Sequence, residues 1–313
     1  MLLASDLPPA LIRGLAFVFG AVWGSFFNVA IHRWPREMSV VTPPSHCPAC
    51  GEPISAGRNV PILGWLFLRG KAACCGASIS PRYPLVELIS GVLAVALAER
   101  FIINAPAELP LMDVAIEALI YFAFVGGLVI ASFVDLDWME IPDEVSLPGA
   151  ALGLATVTLR ESPGAVDAAL GAGGGFLLVQ LVFVWGYERL LGRRGMGEGD
   201  SKLLLMIGAF LGWQGAFFAL VLGAFQGLFV AGLFLATGRS IVPAGLAELE
   251  EQERREDENE NGNDDGPDDG PDDDDESFGK LKVPYGPFLA LGALEFLFFG
   301  DYLVERYVEF FFY

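Results

Sequence analysis

The residues best equipped for chemistry in this chain are aspartates that stand where a carboxylate is costly. In GMGEGDSKLLLMIGAFLGW, residues 195–213, Asp200 follows Gly195, Gly197 and Gly199 and opens an apolar run. Glycines admit backbone angles closed to other residues and let a neighbouring chain approach closely. The dipole of a helix favours a charged carboxylate at its start. Taken alone, this is an N-cap aspartate with Lys202 as its counter-charge. A second carboxylate changes the reading. In ASFVDLDWMEIPDEVSLPG, residues 131–149, a run without charge from Ala118 to Val134 meets Asp135, followed by Asp137, Glu140 and Asp143. Pro142 disfavours helix in the residue before it, and Asp143 is placed to cap the helix that follows. Asp135 lies closest to the apolar core, while Asp137 reads as a solvated loop residue. Two carboxylates brought together share one proton, so the charged one can activate water while the protonated one polarises a carbonyl. Asp137, Glu140 and Glu198 are further contributors by position.

A second cluster carries metal chemistry. All four cysteines lie in HCPACGEPISAGRNVPILGWLFLRGKAACCGASISPRYP: Cys47 and Cys50 form a C-x-x-C knuckle, and Cys74 and Cys75 follow. Two cysteine pairs around such a loop suit structural zinc, held by four thiolates with no open position. The adjacency of Cys74 and Cys75 strains that geometry, and His46 or a water is the expected completion. The bland alternative is a loop with four free thiols.

The elements that position these residues are apolar. The chain of 313 residues is 53% hydrophobic with a mean hydropathy of +0.49. Eight apolar runs stand out, at 11–31, 83–103, 114–134, 145–159, 166–187, 202–213, 215–236 and 285–304. Several approach the roughly 20 residues that span a bilayer. No strand-like alternation is present, so the expected fold is an all-α polytopic membrane protein of about eight transmembrane helices. The first run has no cleavage site after it and is expected to remain as a helix.

Lys and Arg are distributed unevenly: fifteen of nineteen fall in the loops after the first, fifth and seventh runs, leaving Arg13, Arg100, Arg160 and Arg306. Those loops are therefore expected on the cytoplasmic side, with both termini outside. Of the net charge of −20, −15 belongs to Glu248–Glu276, with 17 acidic residues and two arginines, which is expected to be a disordered linker. The expected organisation is a first transmembrane helix (1–31), a cytoplasmic Cys-rich loop (32–82), a transmembrane core (83–247), the acidic loop (248–280), and a last helix with its tail (281–313). Three membrane carboxylates need partners. Glu117 reaches water, Glu87 is expected to pair with Arg82, and Glu295 has no partner in the sequence.

The chain resembles the prepilin peptidases, or type IV leader peptidases, a bacterial inner-membrane family of G-x-G-D aspartic proteases. The resemblance rests on GSFFNVAIHRWP (24–35), CPAC (47–50), SPRYPLVEL (80–88), DLDWMEIPD (135–143), GMGEGDSKLL (195–204) and PYGPFLALGA (284–293), in that order. It covers nearly the whole chain except the acidic insertion. It implies cleavage of a short basic leader from type IV prepilins or type II secretion pseudopilins, and N-methylation of the new terminus with S-adenosylmethionine. It implies Asp135 and Asp200 as catalytic residues, with Gly197, Gly199, Lys202, Pro142 and Asp143 in support. Membrane lipid is an implied partner and nucleic acid is not. The family's cysteine pattern places a thiol at Ala72, which this chain has moved to Cys74. No glycine-rich cofactor fingerprint marks the methyl-donor site, which the resemblance places with the first loop. Two other readings leave more unexplained. A transporter would hold its carboxylates near the bilayer midplane between repeated halves. A zinc-knuckle adaptor gives the aspartates no purpose.

Overall fold

A computed structural model describes residues 3, 6–47, 49–192, 196–237 and 283–312. Every one of the eight apolar runs falls on helix, and the described residues contain no strand beyond three isolated bridges. The helices are α1 (Pro9–Arg33), α2 (Leu63–Phe67), α3 (Arg82–Ala98), α4 (Leu111–Trp138), α5 (Asp143–Ala155), α6 (Ala165–Leu178), α7 (Tyr187–Leu191), α8 (Glu198–Thr237) and α9 (Gly286–Phe312). Two π-helical stretches extend them, Glu99–Ile103 after α3 and Val179–Gly186 joining α6 to α7. Four helices are long and apolar enough to cross a membrane: α1, α4, α8, and α6 taken with its extension to Leu190. The acidic segment 248–276 lies outside the described residues, as do Gly195, Arg193 and Arg194.

Hydrophobic burial centres on α4. Leu128 and Ala131 are fully buried, and Phe124 stacks on Phe210 of α8 with ring centroids 4.4 Å apart. α1 packs against α3, and α6 against the first half of α8. The 40 residues of α8 are not one rod. Gly212, at φ 71° and ψ −175°, takes a conformation that only glycine adopts at low cost, and the chain turns there. The sequence places a break between the runs ending at 213 and starting at 215, and this turn is that break. The second half then packs antiparallel to α9, with Gly215 against Phe296, Ala219 against Gly292 and Gly223 against Phe288.

The loop between α1 and α3 is tied down at both ends. Arg33, buried at the end of α1, donates to the carbonyls of Ser39 and Pro43 at 2.8 Å each. Buried Glu87 of α3 accepts the Ile62 N–H at 2.6 Å. Ile62 stands at φ 62°, an uncommon and strained position for a β-branched residue. The pairing of Glu87 with Arg82 expected from sequence is therefore wrong. Arg82 reaches α4 instead, where it bonds Asp137 at 2.5 Å and the Phe133 carbonyl at 3.0 Å. A cation near the C-terminal end of a helix is favoured by the helix dipole.

Candidate active site

Asp135 sits in the last turn of α4 and is 4% exposed; Asp200 sits in the first turn of α8 and is 8% exposed. Each helix ends where sequence chemistry says it must. α4 stops at Met139, which turns left-handed and returns its N–H to the Asp135 carbonyl at 2.9 Å. Pro142 then holds extended backbone, and α5 starts at Asp143. The turn between carries buried Ile141, and this residue packs the site together. A Cβ on Gly199 would lie 2.9 Å from Ile141 Cβ, so glycine at 199 lets the α4–α5 turn close onto the start of α8. Gly197 holds Asp200 by its N–H, at 3.1 Å from Oδ2.

The third wall comes from the far end of the chain. Gly286, the first residue of α9, donates its N–H to Asp135 Oδ2 at 2.7 Å, in a buried bond. This N–H is one of the orphan donors of a helix N-terminus, where an anion is at home. A Cβ at Gly286 would lie 2.7 Å from Asp135 Oδ2 and 3.1 Å from Ile141 Cδ1. Tyr285 anchors the same turn by donating its hydroxyl to the Leu220 carbonyl at 2.7 Å. The two aspartates are near enough to act on each other electrostatically. Each has one oxygen fixed by a backbone N–H, an arrangement suited to holding a water between a base and an acid.

The supporting residues hold other places than their spacing suggests. Asp143 caps nothing: Pro142 occupies the cap position, and no side-chain cap bond forms. Its carboxylate instead takes Lys202 Nζ at 2.6 and 2.7 Å, tying α5 to α8. Lys202 is thus the counter-charge of Asp143 and not of Asp200. Asp137 is no solvated loop residue but the partner of Arg82 within α4. Glu140 and Glu198 are exposed beside the site. Ser201, fully buried, donates to the Glu198 carbonyl at 2.6 Å and lies 3.0 Å from Gln180 Oε1 on the π-helical stretch. Sequence reasoning missed Gly286, Ile141, Ser201 and Gln180; the only signal for Gly286 was its PYGP setting. Glu295 also gains a partner, Gln226 Nε2 at 2.8 Å.

The four cysteines converge, with their Sγ atoms all within 4.8 Å of one another. The separations are 3.7 Å for Cys47–Cys75, 3.3 Å for Cys50–Cys74 and 3.9 Å for Cys74–Cys75. Thiolates about 2.3 Å from a tetrahedral zinc ion stand about 3.8 Å apart, so the cluster fits the ion despite the adjacent pair. His46 is not in the cluster; its Nδ1 lies 3.1 Å from the Pro44 carbonyl. The N–H groups of Cys50 and Ala49 point at Cys47 and lower its thiol to about 6. Cys74, which accepts a hydrogen bond from the Cys50 thiol, is pushed up to about 12. A bound cation would let all four lose their protons together.

For the methyl donor the described cavities fit poorly. One, of about 300 Å³, is lined by apolar residues of α1, α3 and α4. Another, of about 350 Å³, has polar walls at Arg100, Glu117, Tyr121 and Glu161. It lies at the opposite end of α4, 18 residues or about 27 Å of helix from Asp135.

Comparison with known proteins gives the family. Residues 18–101 match the bacterial peptidase A24 N-terminal domain, and residues 122–232 match the type IV leader peptidase family. A protein of Aeromonas hydrophila called prepilin leader peptidase/N-methyltransferase is 37% identical over 72% of this chain and 83% of its own length. Proteins bearing the same name from Myxococcus xanthus and Stutzerimonas stutzeri are 39% identical (72% of this chain, 64% of that protein) and 30% identical (94% and 93%). No solved structure matches. With both domains matched in order and relatives this similar over most of their length, the chain belongs to the type IV leader peptidase family.

Proposed function

We propose that this protein is an aspartic endopeptidase of the bacterial inner membrane that removes the short basic leader from type IV prepilins or type II secretion pseudopilins. It then N-methylates the new terminus with S-adenosylmethionine. The observation that carries this reading is the meeting of Asp135 and Asp200, buried at the ends of α4 and α8, each with one oxygen pinned by a backbone N–H. In the reaction one aspartate, ionised, takes a proton from water as it attacks the scissile carbonyl. The other, protonated, donates to the carbonyl oxygen; as the tetrahedral intermediate collapses it recovers that proton, and the first aspartate passes the proton taken from water to the leaving amine.

The substrate has a basic leader outside the apolar phase and an apolar helix within it, so its scissile bond lies at a membrane edge. Both aspartates stand at helix ends, at that edge, and not at mid-helix where a transporter keeps its carboxylates. We place this edge on the cytoplasmic side, with eight membrane spans and the Cys-rich segment 32–82 beside the site. Cys47, Cys50, Cys74 and Cys75 would hold zinc as a structural clamp on that segment, with no open position for catalysis. The methylation site is placed with this segment, and segment 83–247 with α9 forms the peptidase.

The test is intact-mass analysis of a prepilin co-expressed with the wild-type protein or with Asp200→Ala. Leader loss with a methylated terminus, absent in the variant, is the expected result. Leader loss that persists in the variant would remove Asp200 from the mechanism, and an uncut client in the wild type would overturn the reading.

A further inference from the structure

Residues 58–71, RNVPILGWLFLRGK, carry three basic residues, no acidic one, and a run of large apolar side chains. They contain α2, whose Leu63, Leu66 and Phe67 are 49%, 55% and 81% exposed. These are positions i, i+3 and i+4, so one face of the helix carries all three. The opposite side is occupied. Trp65 donates Nε1–H to the Ile79 carbonyl at 3.0 Å, and a Cβ on Gly64 would lie 2.5 Å from the Arg58 carbonyl oxygen. Five residues do not hold a helix unaided. Here the Ile62 N–H, bonded to Glu87, fixes the start of α2 against α3. The apolar face is thus held outward by the packing of the other side.

The bond to Glu87 also sets the depth of α2. Glu87 stands five residues past Arg82, about 7.5 Å of helix inside the end of α3 that meets Asp137. The start of α2 therefore lies alongside the bundle, level with Leu85 and Leu88, whose side chains are exposed on α3. An amphipathic helix lying on a bilayer sinks its apolar face about 5–10 Å into the boundary of headgroups and acyl chains. Arg58, Arg69 and Lys71, all exposed, flank α2 in the chain, and cations so placed are drawn to anionic lipid. We propose that α2 is an in-plane membrane anchor. Leu63, Leu66 and Phe67 enter the acyl layer of the leaflet at the aspartate end, and Arg58, Arg69 and Lys71 meet its anionic headgroups. The anchor rests on the membrane-spanning reading of the chain and is independent of the reaction proposed for it. It gives the Cys-rich segment a third attachment, after α1 and α3, and keeps that segment against the bilayer.

Full-length protein in nanodiscs of phosphatidylethanolamine and phosphatidylglycerol tests this. An environment-sensitive fluorescent amino acid replaces Phe67 or, separately, exposed Glu52 beside the cysteines. Lipid brominated on the acyl chain near the headgroup quenches a probe that enters the leaflet, and iodide in the buffer quenches one that stands in water. The probe at 67 is expected to be quenched by bromolipid at least about twofold more than the probe at 52, and by iodide at least about twofold less. Arg58→Gln, Arg69→Gln and Lys71→Gln together should cut the bromolipid quenching at 67 by about half. A probe at 67 open to iodide and untouched by bromine would put α2 in water and overturn the anchor. One shielded from both would mean that protein covers the face, and would overturn it equally. Equal bromolipid quenching at 52 and 67 would make lipid contact a property of the whole loop and not of α2. Quenching unchanged by the triple substitution would overturn the part given to the three cations. The same samples are assayed for prepilin cleavage. Cleavage without lipid quenching removes the anchor alone, whereas lipid quenching without cleavage supports the anchor and counts against the peptidase reading.

Discussion

Gly286 shows what one residue does for a carboxylate. Its N–H fixes Asp135 Oδ2, and its missing side chain is the space in which that oxygen lies. Gly286→Ala must rotate the carboxylate away, since the added Cβ would stand 2.7 Å from Oδ2. A displacement of about 1 Å at a reacting group costs on the order of 100-fold in rate. Cleavage of a prepilin peptide by Gly286→Ala is expected to show kcat about 10- to 100-fold lower with KM unchanged. Gly292→Ala, two turns further along α9, meets Ala219 Cα at 3.0 Å and touches neither aspartate. It should lower thermal stability and leave kcat near wild type; equal losses of kcat in both variants would make Gly286 a packing residue only. The two aspartates were legible in the sequence because a carboxylate beside an apolar run is costly and invites an explanation. Gly286 was not, because its partner is 151 residues away and an N–H leaves no mark in a side-chain pattern. Asp143 misled for a local reason. A cap residue needs extended backbone, and Pro142, locked at φ −63°, took that position and freed the Asp143 carboxylate for Lys202.

Helix ends explain the elements as a group. The first half of α8 must stop at Gly212 inside the protein, leaving carbonyls without intrahelical donors. Arg160, 6% exposed, supplies them: Nη1 donates to Phe210 at 2.8 Å, and Nη2 to Ala209 at 3.1 Å and to Gly153 of α5 at 2.5 Å. Its guanidinium lies over the Phe210 ring, 4.9 Å from the centroid. Arg160→Met fills much of the same space but strands these acceptors, at roughly 1–3 kcal/mol for each buried group left unpaired. Three acceptors at the low end of that range amount to about 3 kcal/mol, so thermal unfolding in detergent should fall by at least about 6 °C at about 2 °C per kcal/mol. Arg160→Lys, with one compact ammonium, should recover less than half of that. Leader cleavage per folded molecule should be unchanged, because Arg160 meets α4 at Tyr121, about 21 Å of helix from Asp135, and α8 at Ala209, about 14 Å of helix from Asp200. A large loss of activity at unaltered melting temperature would show that the turn at Gly212 communicates with the site. The break near 212 was visible as a gap between apolar runs, yet its arginine was read only as a loop charge. The π-helical stretches were not visible at all, since a one-residue widening of a helix barely alters an apolar pattern.

Across the molecule as a whole, the basic residues among those described sort to the two ends of the helices. Arg82 and Lys202 stand with the aspartate pair through Asp137 and Asp143, and Arg36 stacks on Trp138 at the same end of α4. Arg13 pairs with Glu99, and Arg100 and Arg160 lie by Phe101 and Tyr121 at the other end. The loop count that assigned a side to each group thus has a spatial counterpart, which supports placing the aspartate end in the cytoplasm. The four cysteines of the chain, all between α1 and α3, make this measurable. A membrane-impermeant maleimide, given with a zinc chelator to free the thiols, should label inside-out vesicles and spare intact spheroplasts. Glu108→Cys, in the exposed loop between α3 and α4, should add a site labelled from outside. Native thiols labelled on spheroplasts would invert the topology. The catalytic end would then face away from the compartment where a basic leader is retained, and the peptidase reading would fail with it. Labelling from the inside instead puts Asp135, Asp200 and the cysteine cluster on the surface where a prepilin presents its leader, so that a cleaved terminus is released beside the segment proposed to methylate it.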